Sequence, residues 1–157
     1  MSKKPIKAPP STGGQVAWDW AQKPVQRSVV RRVARAWGIE FPDDYVACAM
    51  ANHGGHPTPQ CFDMPRRKEA MFNRLLAYTG KTGRIERTFE AIKDRLPASV
   101  YPFADDPFGN HLCIDYRKGK PVVVFWDHEV AAEDPAASVT RVCGTFTELL
   151  GMLYERD

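Results

Sequence analysis

SVYPFADDPFGNHLCIDYRKGKPVVVFW, residues 99–126, decides the fold. The first part, SVYPFA, reads as a strand and runs into two aspartates, a proline and a glycine. HLCIDY then alternates. Leu112, Ile114 and Tyr116 fall on one face, and His111, Cys113 and Asp115 on the other, as a strand of period two requires. RKGK is a turn, and PVVVFW is apolar at every position, as a central strand buried on both faces would be. Three consecutive strands joined by tight turns imply an antiparallel sheet.

The turn itself offers several chemistries. Asp105, Asp106, Gly109 and Asn110 suggest a calcium loop, but Phe108 stands where an oxygen donor would be needed. An acid pair for hydrolysis needs two carboxylates facing one substrate, and adjacent strand residues point to opposite faces. The remaining reading is structural: Asp and Asn side chains bond the backbone, and Gly109 takes a positive φ. Asp105, Asp106 and Asn110 are kept as candidates for contact with a partner.

Helices are expected on both sides of these strands. In VQRSVVRRVARAWG, Val25, Val29, Val33 and Trp37 recur at helical spacing, and Gly38 suits a left-handed cap. Arg27, Arg31 and Arg35 form a stripe, which reads as a solvated face or as the opposite of an acidic surface. FPDDYVACAMANHGG follows, with Pro42 at its start and Asp43 and Asp44 complementing the positive end of the helix. CFDM reads as a short strand. RRKEAMFNRLLAYTG reads as a helix ending at Gly80, and TGRIERTFEAIKDRLP as another, stopped by Pro97. WDHEVAAEDPAA reads as a polar loop and SVTRVC as a last strand. TFTELLGMLYER reads as a closing helix with capping-box spacing between Thr145 and Glu148. The expected class is α+β: one domain over residues 16–157, a mainly antiparallel twisted sheet with helices packed against it. Residues 1–15, rich in Lys, Pro, Ser and Gly, are expected to form a flexible arm.

Composition narrows function. The chain has 157 residues, 43% apolar and 26% charged, with a net charge of +3. That balance is ordinary for a globular protein and too small to argue nucleic-acid binding. No run is long enough to span a membrane. Cys48, Cys61, Cys113 and Cys143 form no CxxC pair and read as buried free thiols in a reducing compartment. A cytoplasmic protein is expected, with no cofactor and no metal.

Three further motifs have the residue types of a site. His53, His56 and Cys61 have zinc-like spacing but lack a fourth ligand unless His111 or Cys113 supplies it in space. YTGKTG at 78–83 imitates a phosphate loop, but Leu75 stands where the first glycine is required and a helix rather than a strand is expected before it, so that reading is rejected. WDHE at 126–129 places His128 between Asp127 and Glu129, the types needed for general base catalysis. No serine or cysteine is placed as a nucleophile by any motif, so a strand end anchored by Trp126 is the expected role. Exposed Trp126 or His128 would instead be an interface anchor.

Four blocks occur in the order found in the SUKH superfamily, the Smi/Knr-type domains: WGIEFPDDYVACAMANHGG, LPASVYPFADDPFGNHLCID, PVVVFWDHE and VCGTFTELLGML. Over residues 26–153 the chain resembles that superfamily. The resemblance implies a protein-binding domain rather than an enzyme. Bacterial members are mostly immunity proteins that block a cognate toxin domain, often a nuclease or a deaminase acting on nucleic acid. Fungal members regulate cell-wall synthesis, which leaves a regulatory scaffold without a toxin as the alternative. The candidate contact residues are Asp43, Asp44, Asp105, Asp106, Asn110, Trp126, Asp127, His128 and Glu129. Charge reversal at Asp105, Asp106, Asp127 and Glu129 is expected to weaken binding without unfolding the protein.

Overall fold

The computed structural model describes residues 15–156. The chain opens with β1 (Ala17–Asp19), α1 (Arg27–Trp37) and α2 (Asp43–Asn52). Four short strands follow: β2 (His56–Thr58), β3 (Cys61–Met64), β4 (Arg67–Met71) and β5 (Arg74–Leu75). Then come α3 (Ile85–Ile92), β6 (Val100–Asp105), β7 (His111–Asp115) and β8 (Val122–Trp126). The chain closes with α4 (His128–Glu133), β9 (Val139–Cys143) and α5 (Phe146–Met152). The class is α+β, as expected.

The alternation of residues 99–126 becomes the centre of a five-stranded antiparallel meander, β5-β6-β7-β8-β9. Two further two-stranded antiparallel sheets complete the strands: β1-β2, whose strands are separated by α1 and α2, and the hairpin β3-β4. Register assigns the faces. Leu112 pairs with Phe125 and Ile114 with Val123 on one face. These side chains join Phe103, Leu75 and the buried sides of α1, α2 and α5 in the main core. Cys113 pairs with Val124 and His111 with Trp126 on the other face. There Val100, Cys113, Val124 and Trp126 meet Ile92, Leu96 and Ala131 in a second, smaller cluster. The unbroken apolar run of β8 therefore has the cause read from its sequence: from Val123 to Trp126 its side chains are buried on both faces. Each large apolar side chain so buried contributes about 1.5–3 kcal/mol.

Local signals account for the helix ends. Gly38 has φ 75° and donates its N–H to Ala34 and Arg35, closing α1 in the left-handed region. The buried side of α1 is Val30, Val33 and Ala34, with Val25, Val29 and Trp37 partly buried. Thr145 Oγ accepts from the Glu148 N–H, the first half of the expected capping box. Asp44 Oδ2 accepts from both the Thr147 N–H and its hydroxyl at 2.9 Å, tying α2 to α5.

Two readings are corrected. Residues 66–80 are not a helix but strands β4 and β5. Leu, Ala, Arg and Glu favour a helix by propensity, but tertiary pairing overrides a weak preference. Ala70 and Phe72 bury on one side while Lys68 and Glu69 remain exposed. Cys61 pairs with Met71 and Phe62 with Ala70, and β5 joins the main sheet through Arg74 opposite Asp105. The second correction is WDHEVAAEDPAA, which forms α4 and a 3-10 turn at Pro135–Ala137. Asp127 and Asp134 cap them by accepting from backbone N–H groups. The arm expected over residues 1–15 lies almost entirely outside the described residues.

Candidate functional site

The turn between β6 and β7 is built around Asp106. Its Oδ1 accepts from the N–H groups of Phe108 and Asn110, both at 2.8 Å. Its Oδ2 accepts from Asn110 Nδ2 at 2.9 Å. Asn110 Oδ1 then accepts twice from His128, from the backbone N–H at 3.0 Å and from the ring Nδ1 at 2.7 Å. Because Asn110 donates through its amide to Asp106, its oxygen must face His128. That fixes the proton of His128 on Nδ1 and leaves Nε2 as the acceptor in the neutral ring. Gly109 has φ 94°, and a Cβ there would lie 3.1 Å from His128 Cε1. The glycine is therefore needed for its backbone angle and for the ring that rests on it.

The expected turn is thus observed, and together with other contacts of the fold most of the residues expected to face a partner are engaged within the protein. Asp106, Asn110 and Trp126 are buried. For Trp126 the reading of an exposed anchor is corrected: the second apolar cluster covers it, and its Nε1 donates to Arg95 O. Asp105 accepts from Asn73 and pairs with Arg74 at 3.0 Å. Asp127 caps α4 and pairs with Arg67 at 3.0 Å, while the Arg67 guanidinium lies over Phe125. Asp44 is spent on Thr147 and on the Tyr45 N–H. Reversing Asp106 would place an ammonium among three N–H donors, so the expectation of an intact fold is corrected there. Asp43 and Glu129 are exposed and make no ion pair among the described residues. His128 is half-buried.

What remains at this tip is a small exposed surface. Phe108 is 67% exposed and Val130 38% exposed, beside His128 and Glu129. Phe108 was legible only as a residue that spoiled a calcium pattern; its place at the apex of a glycine turn was the usable signal. A second exposed aromatic, Trp20, is also 67% exposed and has φ 64°, a conformation unfavourable for a bulky side chain. Nothing in its sequence surroundings marks it.

The other candidate chemistries do not assemble. His53 is fully buried, with Nε2 2.8 Å from Lys23 O and Nδ1 accepting from the Tyr78 N–H at 3.0 Å. Both nitrogens are used, so the ring holds the backbone together instead of a zinc ion. Among the described residues no group of three or more His, Cys, Asp or Glu could hold a metal ion. The YTGKTG stretch follows a strand of two residues and leads into α3, with Tyr78 buried against Tyr45 through a 2.6 Å hydroxyl contact. Burial pushes the Cys48 and Cys143 thiols up to about 12, far from thiolate chemistry at neutral pH. Burial also holds His111 below its ordinary value; its Nδ1 has no hydrogen-bond partner among the described residues. Arg27, Arg31 and Arg35 are exposed without an ion pair among the described residues, the solvated face.

Comparison with known proteins adds the family. Residues 28–150 match the family described as SMI1-KNR4 cell-wall, SUKH_6. This chain belongs to the SUKH_6 family. The resemblance carried by the four sequence blocks is thereby borne out, and the matched SUKH_6 span takes in the whole five-stranded meander. The SPbeta prophage-derived uncharacterized protein YokK of Bacillus subtilis (strain 168) is 34% identical over 50 residues. Those residues are 32% of this chain and 25% of YokK, so the chain matches about a quarter of that curated relative. No helix of the described SUKH_6 domain is long and apolar enough to cross a membrane.

Proposed function

We propose that this protein is a cytoplasmic immunity protein that captures a cognate toxin domain and neutralises it by protein–protein contact, without catalysis of its own. The observation that carries the reading is membership of the SUKH_6 family across residues 28–150. Its similarity to a prophage-derived protein agrees with a role in conflict between cells or genomes. The surface we assign to the toxin is the tip made by Phe108, His128, Glu129 and Val130. Phe108 supplies an apolar anchor on a turn held rigid by Asp106, which limits the entropy lost on binding. Glu129 supplies charge that a basic nuclease or deaminase surface would meet. Asp43 lies apart from this tip, at the start of α2.

The test is co-expression. The C-terminal domain encoded directly upstream is expressed with and without this chain, and growth and co-purification are scored. Killing by the domain alone, with rescue and co-purification by this chain, is the expected result. Phe108→Ala with Glu129→Lys should then weaken the complex by about 2 kcal/mol or more, read as faster dissociation. A harmless domain, or one that kills equally in the presence of this chain, overturns the immunity reading and leaves the regulatory scaffold.

A further inference from the structure

The second face of the sheet is only partly covered. α3, the 3-10 turn at Lys93–Arg95 and α4 pack over Val100, Cys113 and Trp126. Toward the β7–β8 turn and the start of α5 the same face lies open as a groove of about 600 Å³. Its floor is Val122, Val124 and Val139, and its rim carries Lys118, Lys120 and Arg141. All three rim cations are exposed and make no ion pair among the described residues. The rim's fourth cation, Arg117, is held by Asp115 at 2.8 Å, the only ion pair on the rim among the described residues. Burial raises the Asp115 carboxyl, but its bonds to Arg117 outweigh this and hold it below its ordinary value, so it stays ionised in that pair. Glu148 is the one other acid on the lining; it accepts from Thr145, and its carboxylate lies with the Arg141 guanidinium beside Gly144 without forming an ion pair among the described residues. The groove also borders β9, which among the described residues has a strand neighbour on one side only.

We propose that this groove is a docking site for an acidic protein segment that carries an aliphatic anchor. The charge argument selects the occupant. Three free cations around an apolar floor match Asp or Glu flanking a Val, Leu or Ile. Residues 1–14 of this chain cannot supply it, since they contain Lys3, Lys4 and Lys7 and no acid. A nucleic acid would find cations but no aromatic platform, because the groove has valines where bases would stack. The open edge of β9 offers backbone groups to an extended chain lying beside it. This site is opposite in sign to the Glu129 tip and stands whether or not the partner is a toxin.

The experiment uses the isotope-labelled full chain and a synthetic peptide in which glutamates alternate with valine and leucine, followed by amide chemical shifts. The expected result is shifts confined to β8, β9 and Gly144, with affinity reduced about tenfold in Lys120→Glu/Arg141→Glu and by a smaller factor in Lys120→Gln/Arg141→Gln. Both variants replace exposed side chains, and thermal unfolding verifies their fold. Four results overturn the proposal: no shifts, shifts elsewhere, unchanged affinity in both folded variants, or equal binding of an oligothymidine. Groove shifts that follow protein concentration without peptide would assign the groove to a second copy and overturn it too.

Discussion

Asp106→Asn tests the reading of the β6–β7 turn directly. The substitution keeps the shape and one acceptor oxygen. Oδ1 can still receive the Phe108 and Asn110 N–H groups at 2.8 Å. The new amide, however, meets Asn110 Nδ2 across the 2.9 Å contact, donor against donor. Asn110 cannot turn over to relieve this, because its oxygen already receives two hydrogens from His128. One charge-assisted bond is lost and a buried donor is left without a partner, which costs about 2–3 kcal/mol. With a urea slope of about 2 kcal/mol per molar, the unfolding midpoint should fall by about 1–1.5 M at unchanged slope. Asp105→Asn is the control. It loses only the partly exposed pair with Arg74, worth about 1 kcal/mol or less after screening, and should shift the midpoint by about 0.5 M at most. Equal shifts for the two variants, or a shift below about 0.3 M for Asp106→Asn, would refute the reasoning.

Two further perturbations report on the same end of the sheet. His111 is held below its ordinary value of 6.5 by burial, so the unfolded chain takes up the proton first. Its contribution to stability is present above 6.5 and lost as pH falls toward the lowered folded value. Thermal midpoints between about pH 7.5 and 5 should therefore fall more steeply for the native chain than for His111→Gln; parallel curves would count against this. Gly109→Ala should cost about 1–3 kcal/mol from its φ of 94° and its approach to His128. The penalty should be smaller in a His128→Ala background, because the steric part disappears while the backbone part persists; equal penalties in both backgrounds would show that the ring contributes nothing.

The meander was legible because each of its signals is local. HLCIDY alternates, the turns carry Gly109 and Gly119 at positive φ, and PVVVFW declares itself buried. Residues 66–80 were not legible, because their strands are set by partners their own sequence does not name. Arg74 and Leu75 pair with Asp105 and Ala104, some thirty positions away. Trp126 takes the strand-end anchoring role expected of it, and only its alternative place as an exposed contact fails, because α3 and α4 cover the sheet's second face there. At the candidate site the residue types were read correctly as turn chemistry. What sequence could not show is that Arg67 and Arg74 come from β4 and β5 to hold Asp127 and Asp105. Charges that look available along the chain are spent across it.

The fold begins before the family does. Val16 and Trp18 are buried, and Trp18 meets Phe72 edge-on at 5.8 Å. Gln22 N–H bonds His53 O, Val25 N–H bonds Met50 O, and Lys23 O receives the His53 ring. Residues 16–25 thus lie as a strap across the end of α2, outside the matched span that starts at residue 28. A chain cut to that span would bare an aromatic slot beside the ring of His53. Such a slot is selective as well as costly, since its shape and its polar group together describe one segment. Supplied as a separate peptide, the strap is the ligand that this vacancy fits, so the two pieces should complement one another in the manner of a split protein.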